Sequence, residues 1–301
     1  MTSDDRGPLR AGLVAVGVGL AVLALKAVAA WRTDSLALLA DAAESVVNVV
    51  AAMIATASVR YAARPPDANH PFGHGKAEYL SAGIEGALVV LAAFVVAFEA
   101  VARFGHEPRV PQLGLGLAVS VVATAANAAL ARHLSRVARR YHSPAILADA
   151  LHVRSDVATS LGVYFGFGVA WVTRYWPLDA LLAMAVSAHI LVAGLRAVRH
   201  SMSGLLDEAL PAHELERIEH RLRREGPPVV EYHDLRTRRA GAQVFVELHL
   251  VISRYALVAE AHEICDRIEA DLDGLHPGAR VTIHVEPEGE AKPRAGGERE
   301  P

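Results

Sequence analysis

The sequence predicts an α-helical membrane protein: a six-transmembrane-helix bundle over residues 1–202, a small α+β cytoplasmic domain over 203–288 and a disordered tail over 289–301. Three observations predict it. The chain of 301 residues is 52% hydrophobic with a mean hydropathy of +0.26, and its apolar residues crowd into the first two thirds. Those apolar runs reach the roughly 20 residues a helix needs to cross about 30 Å of hydrocarbon. The last hundred residues switch instead to alternating and amphipathic patterns.

The spans fall at about 11–31, 36–59, 79–102, 111–133, 144–173 and 177–198. Arg6 and Arg10 before the first apolar run give it some likeness to a signal peptide, but Lys26 interrupts the run and five further spans follow, so it reads as a span. The charge bias sets the orientation. Arg6, Arg10, Arg60, Arg64, Lys76, Arg132, Arg136, Arg139, Arg140, Arg196 and Arg199 lie on one side, against Arg32, Arg103, Arg109 and Arg174 on the other. Both termini are therefore expected in the cytoplasm, and the protein in the inner membrane.

Beyond Ser203, LPAHELERIEHRLRRE reads as an amphipathic helix, VVEYHDLRTRR and AQVFVELHLVIS as strands, ALVAEAHEICDRIEADLDGL as a helix and RVTIHVEP as a last strand. The order αββαβ suggests helices on one face of a three-stranded sheet. The Pro/Gly-rich GEAKPRAGGEREP is expected to be disordered.

A net charge of -3 gives no reason to expect nucleic acid. The one cysteine, Cys265, excludes an internal disulfide and a thiolate-rich zinc site within the chain. With 15 histidines, a metal site here would be His/Asp/Glu chemistry.

His152 and Asp156, four apart in the fifth span, share one helix face. Ionisable groups at bilayer depth cost roughly 2.5–3.5 kcal/mol each unless they pair, line a wet cavity or bind something. Glu44 and Asn48 form the same i, i+4 pair in the second span. Brought together, the four offer one nitrogen and three oxygen donors to a divalent ion. The bland alternative is a polar clamp between helices. Asp41 and Asp149 lie about a turn away, as an ion vestibule or as packing groups. Glu85 and Glu99 lie in the third span, Glu99 near the interface. Lys26 is expected to snorkel or pair, and His189 to pack. The loop RPPDANHPFGHGKAEY gathers Asp67, His70 and His74, a spacing that suits a metal but also occurs on ordinary surfaces.

That loop, with ADALHVRSD in the fifth span and HDLRTR in the soluble domain, resembles the cation diffusion facilitator family of metal/proton antiporters, in its bacterial ferrous-iron/zinc efflux branch. The resemblance covers about residues 11–288. It implies a homodimer that exports Zn²⁺ or Fe²⁺, then Co²⁺ or Mn²⁺, in exchange for protons, with no prosthetic group and no enzymatic activity. It implies a transport site of Glu44, Asn48, His152 and Asp156, and a loop site of Asp67, His70 and His74. It further implies a metallochaperone-like soluble domain with a binuclear site near the dimer interface on His233, His249, His262, His284 and Glu286. Lys76 and Asp207 match a charge interlock where the membrane and soluble parts join. The family usually presents Asp or His at both second-span positions; this chain has Glu44 and the neutral Asn48. Two rivals are a membrane metallohydrolase, for which no HExxH motif appears, and a membrane-anchored metal sensor, which would need no ionisable pairs in its spans.

Overall fold

The computed structural model describes residues 6–33, 36–102, 104, 113–173 and 177–289. The expected tail lies almost wholly outside them. Six long helices come first: α1 (Arg6–Thr33), α2 (Leu36–Ala62), α3 (Ala77–Ala102), α4 (Leu113–Tyr141), α5 (Pro144–Thr173) and α6 (Pro177–Leu205). Two of them begin on proline, whose missing N–H costs nothing at a helix start. Ser143 caps α5: its Oγ accepts from the Ile146 N–H at 3.4 Å and donates to the Glu78 carboxylate. Helices α4 and α6 run well past the expected ends of their spans. Lipid limits how far a segment can be apolar, but backbone hydrogen bonding lets the arginine-rich ends stay helical in water.

Among the described residues, Gly7–Arg32, Ser45–Ala62, Ala77–Ala102 and Ala180–Leu205 are long and apolar enough to cross a membrane. Helices α4 and α5 have the length, at 29 and 30 residues, but are not among those four. Helices α1, α2, α4 and α5 share one core, in which Ala11, Ala15, Ala52, Ala55, Ala131, Ala138, Ala145 and Ala150 are all buried. Small side chains let helices approach closely where lipid supplies no hydrophobic drive. Lys26 is buried on α1. His189, expected to pack, is exposed on α6 because its neighbours Ser187 and Ile190 take the inward face.

Helices α3 and α6 meet through glycine and serine. A Cβ on Gly86 would lie 2.9 Å from the Val198 backbone nitrogen, and one on Gly194 would lie 3.0 Å from that of Val90. Ser187 Oγ donates to the Ala93 carbonyl at 2.7 Å, and Ser201 Oγ donates to that of Tyr79. Gly86→Ala is therefore expected to destabilise the membrane unit by about 2 kcal/mol, the usual cost of overpacking against backbone. Gly17→Ala, which meets open space, should be neutral. Thermal unfolding in detergent compares the two.

The second unit spans Gly204–Pro301. It runs α7 (Ala212–Leu222), β1 (Val229–Ala240), β2 (Gln243–Ile252), α8 (Val258–Leu275) and β3 (Arg280–Pro287), the expected αββαβ order. Gly241, at φ 62°, turns the β1–β2 hairpin, and α8 makes the crossover that the parallel β2–β3 pairing requires. Val244, Val246, Leu248, Leu250 and Ile252 point from β2 onto Ile218 and Leu222 of α7 and Ile264, Ile268 and Leu272 of α8. Strand alternation then sends His249 to the opposite face.

Candidate metal centres

In the membrane unit, α2 packs on α5 and brings Asn48 between His152 and Asp156. His152 Nε2 lies 2.9 Å from Asn48 Oδ1, and Asn48 Nδ2 donates to Asp156 Oδ2 at 2.7 Å. An ionised Asp156 fixes the amide's direction, because a carboxylate can only accept. The amide oxygen then faces the imidazole and requires a proton on its Nε2. Three of the four expected transport residues thus form one hydrogen-bonded relay across two helices, with His152 buried. Glu44 lies on α2, but its side chain, like that of Asp41, is outside those described.

Two further acids sit inside this unit. Asp149 and Glu85 are each 1% exposed. Both Glu85 carboxylate oxygens and Asp149 Oδ2 are buried without a well-formed hydrogen bond among the described residues, Ser81 lying beside Glu85. Asp149 lies within electrostatic range of Glu85, on helices α3 and α5 that pack together. A carboxylate buried that way is tolerated when it carries a proton or a cation. Sequence reasoning assigned Glu85 no role, although an acid in a hydrophobic span was the available signal. Glu99 is exposed near the end of α3.

The loop after α2 folds on Asp67. Its Oδ1 accepts from the backbone N–H of Asn69 at 2.9 Å and of His70 at 2.7 Å, and Gly73 takes the left-handed φ of 87°. His70 Nδ1 comes within 3.1 Å of Asp67 Oδ1, and His74 Nε2 within 3.3 Å of Oδ2. The ligand atoms of Asp67, His70 and His74 lie within 4.8 Å of one another. His74 is buried edge-on against Tyr61, their ring centroids 4.7 Å apart, while Asp67 and His70 face outward. The His70 backbone N–H, ahead of its side chain, holds the Asp67 carboxyl below its ordinary 3.8. A lowered value means the turn gains stability from ionised Asp67 above pH 3.8 and loses it as the pH falls through the depressed value.

In the soluble unit, His233 pairs with His249 across β1 and β2, and His249 pairs with His284 across β2 and β3. Register therefore lays three imidazoles in one row, with ring centroids 5.1 and 4.8 Å apart. Glu286, two residues along β3 on the same face and 4% exposed, reaches all three. Its carboxylate oxygens lie 3.1 Å from His249 Nδ1, 3.5 Å from His233 Nε2 and 3.6 Å from His284 Nε2. The ligand atoms of His233, His249 and Glu286 gather within 4.8 Å. Asp234 adds a carboxylate 3.9 Å from His249 Nε2. The sequence reading missed Asp234, because only the register shift after His233 and its φ of 51° turn it toward the row.

His262 does not join this group. It is exposed on α8, 3.8 Å from Asp266, while the histidine row occupies the sheet face that α8 leaves uncovered. Asp207, at φ 60°, pairs with Arg238 at 3.3 Å inside the soluble unit.

The family model of the cation efflux transmembrane domain matches residues 12–206. The chain belongs to the cation efflux family. The model of the cation efflux protein cytoplasmic domain matches residues 210–288. An uncharacterized transporter of Synechocystis, sll1263, is 38% identical over 91% of this chain and 89% of its own length. The cation-efflux pump FieF of Klebsiella pneumoniae is 32% identical over 92% of each chain. The metal-bound C-terminal domain of the CzcD transporter from Thermotoga maritima is 31% identical, covering 28% of this chain and all of that one, with a TM-score of 0.25. This family member is thus a multi-pass membrane transporter for divalent metal efflux, with groups that suit metal ions in both units.

Proposed function

We propose that this transporter carries Zn²⁺ or Fe²⁺, and with less preference Co²⁺ or Mn²⁺, out of the cytoplasm in exchange for protons. It would work as a homodimer in the inner membrane with both termini in the cytoplasm, as a carrier and not an enzyme. The His152–Asn48–Asp156 relay between α2 and α5 carries this reading. It joins a titratable imidazole and a carboxylate inside an alanine-rich bundle, where ionisable groups persist for function.

Cytoplasmic metal enters past Asp67, His70 and His74 and docks between Glu44, Asn48, His152 and Asp156. Docking breaks the relay: an imidazolium His152 gives up its Nε2 proton and binds through that nitrogen, and Asp156 exchanges the amide for the ion. A proton arriving from outside returns to His152 Nε2, restores the relay and expels the ion, since an imidazole nitrogen or a carboxylate holds metal only when deprotonated. Exchange therefore follows from the same residues that make the relay.

In the soluble unit, His233, His249, His284 and Glu286 would hold cytoplasmic metal. His262 reaches them only from a second copy, because α8 covers the other sheet face. Metal bound there would draw two copies together, which suits a regulatory dimer. His249→Ala, which removes the centre of the row, is expected to weaken Zn²⁺ binding by about a hundredfold in titration calorimetry of the 203–288 domain. An unchanged affinity would exclude the row as a metal centre.

A further inference from the structure

Helices α4 and α5 line an open cavity of about 560 Å³ whose polar wall is four arginines and Ser135. Arg132, Arg136 and Arg139 recur at i, i+4 and i+7 on α4, and Arg154 faces them from α5. All four are exposed, and among the described residues no acidic side chain pairs with any of them. Helix α4 contains no acidic residue, and α5 has only Asp149 and Asp156; the first is buried and the second is bound to Asn48. Four guanidiniums gathered without a counter-ion make a strongly electropositive site.

The cavity is also divided by chemistry along its length. The two helices form an antiparallel hairpin joined at residues 142–143. The arginines lie toward that joined end, where Arg139 is within a turn of the helix terminus. Val157 and the exposed Leu161 line the cavity farther from it. At 1.5 Å per residue, the arginine stripe on α4 covers about 10 Å and gives way to an apolar wall. A soluble anion would need only the first half. A molecule with a phosphate head and hydrocarbon chains fits both.

We propose that this cavity binds the headgroup of an anionic glycerophospholipid, with the guanidiniums on the phosphodiester and the acyl chains along Val157 and Leu161. Arginine suits this task because its planar fork meets phosphate oxygens in pairs. The inference is separate from metal transport: no residue of the relay, the loop or the histidine row takes part.

Native mass spectrometry of the delipidated full-length protein, with phosphatidylglycerol as the probe, tests it. Wild-type protein should retain phosphatidylglycerol over phosphatidylcholine. The Arg132→Gln/Arg136→Gln variant should bind it about thirtyfold more weakly, and Arg154→Gln alone about fivefold, at the usual contribution of an arginine near an anionic lipid surface. Arg196→Gln/Arg199→Gln removes the same charge from exposed positions on α6 and should bind as wild type. Equal retention by all variants would overturn the proposal, as would an equal loss in both double variants. Displacement of phosphatidylglycerol by millimolar inorganic phosphate would overturn it too, and would identify a free-anion site instead.

Discussion

Asp156→Ala is expected to abolish metal-driven proton flux in proteoliposomes and to weaken metal binding in the membrane unit by about a hundredfold, equivalent to about 3 kcal/mol. The carboxylate has two jobs that no neighbour can take over. It is a charged ligand for the ion, and its charge orients the Asn48 amide that it accepts from at 2.7 Å. Without it, Asn48 loses the partner of its Nδ2, so the amide is free to turn and His152 loses its fixed acceptor. Asp156→Asn tests charge separately from shape: it keeps the volume, removes the negative charge and should fail at transport almost as completely. Flux at the wild-type level in either variant would remove the transport assignment. Retained metal binding at Asp67, His70 and His74 in the same samples would establish that the protein is folded.

Asn48→Asp is expected to act in the opposite direction on affinity. It places a second carboxylate beside Asp156 and His152 and so raises the affinity for divalent ions by about tenfold or more, since ligand charge is a main control on such sites. The gain has a cost in the empty state. The amide now donates to Asp156 and accepts from His152; two carboxylates in its place repel unless one takes a proton. The variant should therefore bind metal more tightly at neutral pH, lose it more steeply on acidification and turn over more slowly if release limits the cycle. Metal-binding titrations at several pH values, run beside transport rates for Zn²⁺, Fe²⁺, Co²⁺ and Mn²⁺, measure both consequences. A variant indistinguishable from wild type in affinity and in metal preference would place Asn48 outside the site, as a clamp between α2 and α5.

The soluble unit was readable in outline because strands and amphipathic helices repeat with different periods. Alternation along Val244, Val246, Leu248 and Leu250 identified β2, and the spacing of Ile264, Ile268 and Leu272 identified α8. The same alternation placed His284 and Glu286 on one face. It did not say which strands neighbour each other, so the single row of His233, His249 and His284 became visible only with the register. His262 was grouped with them because sequence does not record that α8 covers the other side of the sheet.

In the membrane unit, hydropathy located the helices to within a few residues at most ends. It failed at the ends of α4 and α6, where helical hydrogen bonding continues through polar sequence. The i, i+4 rule paired His152 with Asp156 and Glu44 with Asn48 without any structure.

Local spacing thus determined which residues share a face, because a helix or strand has one fixed period. Only the tertiary structure decided what those faces meet. It set Asn48 between His152 and Asp156, left Glu85 and Asp149 buried in range of each other, and gathered four arginines of α4 and α5 around one cavity. Those contacts depend on how alanine- and glycine-lined helices close on one another, and that packing is a property of pairs of segments, which no single segment encodes.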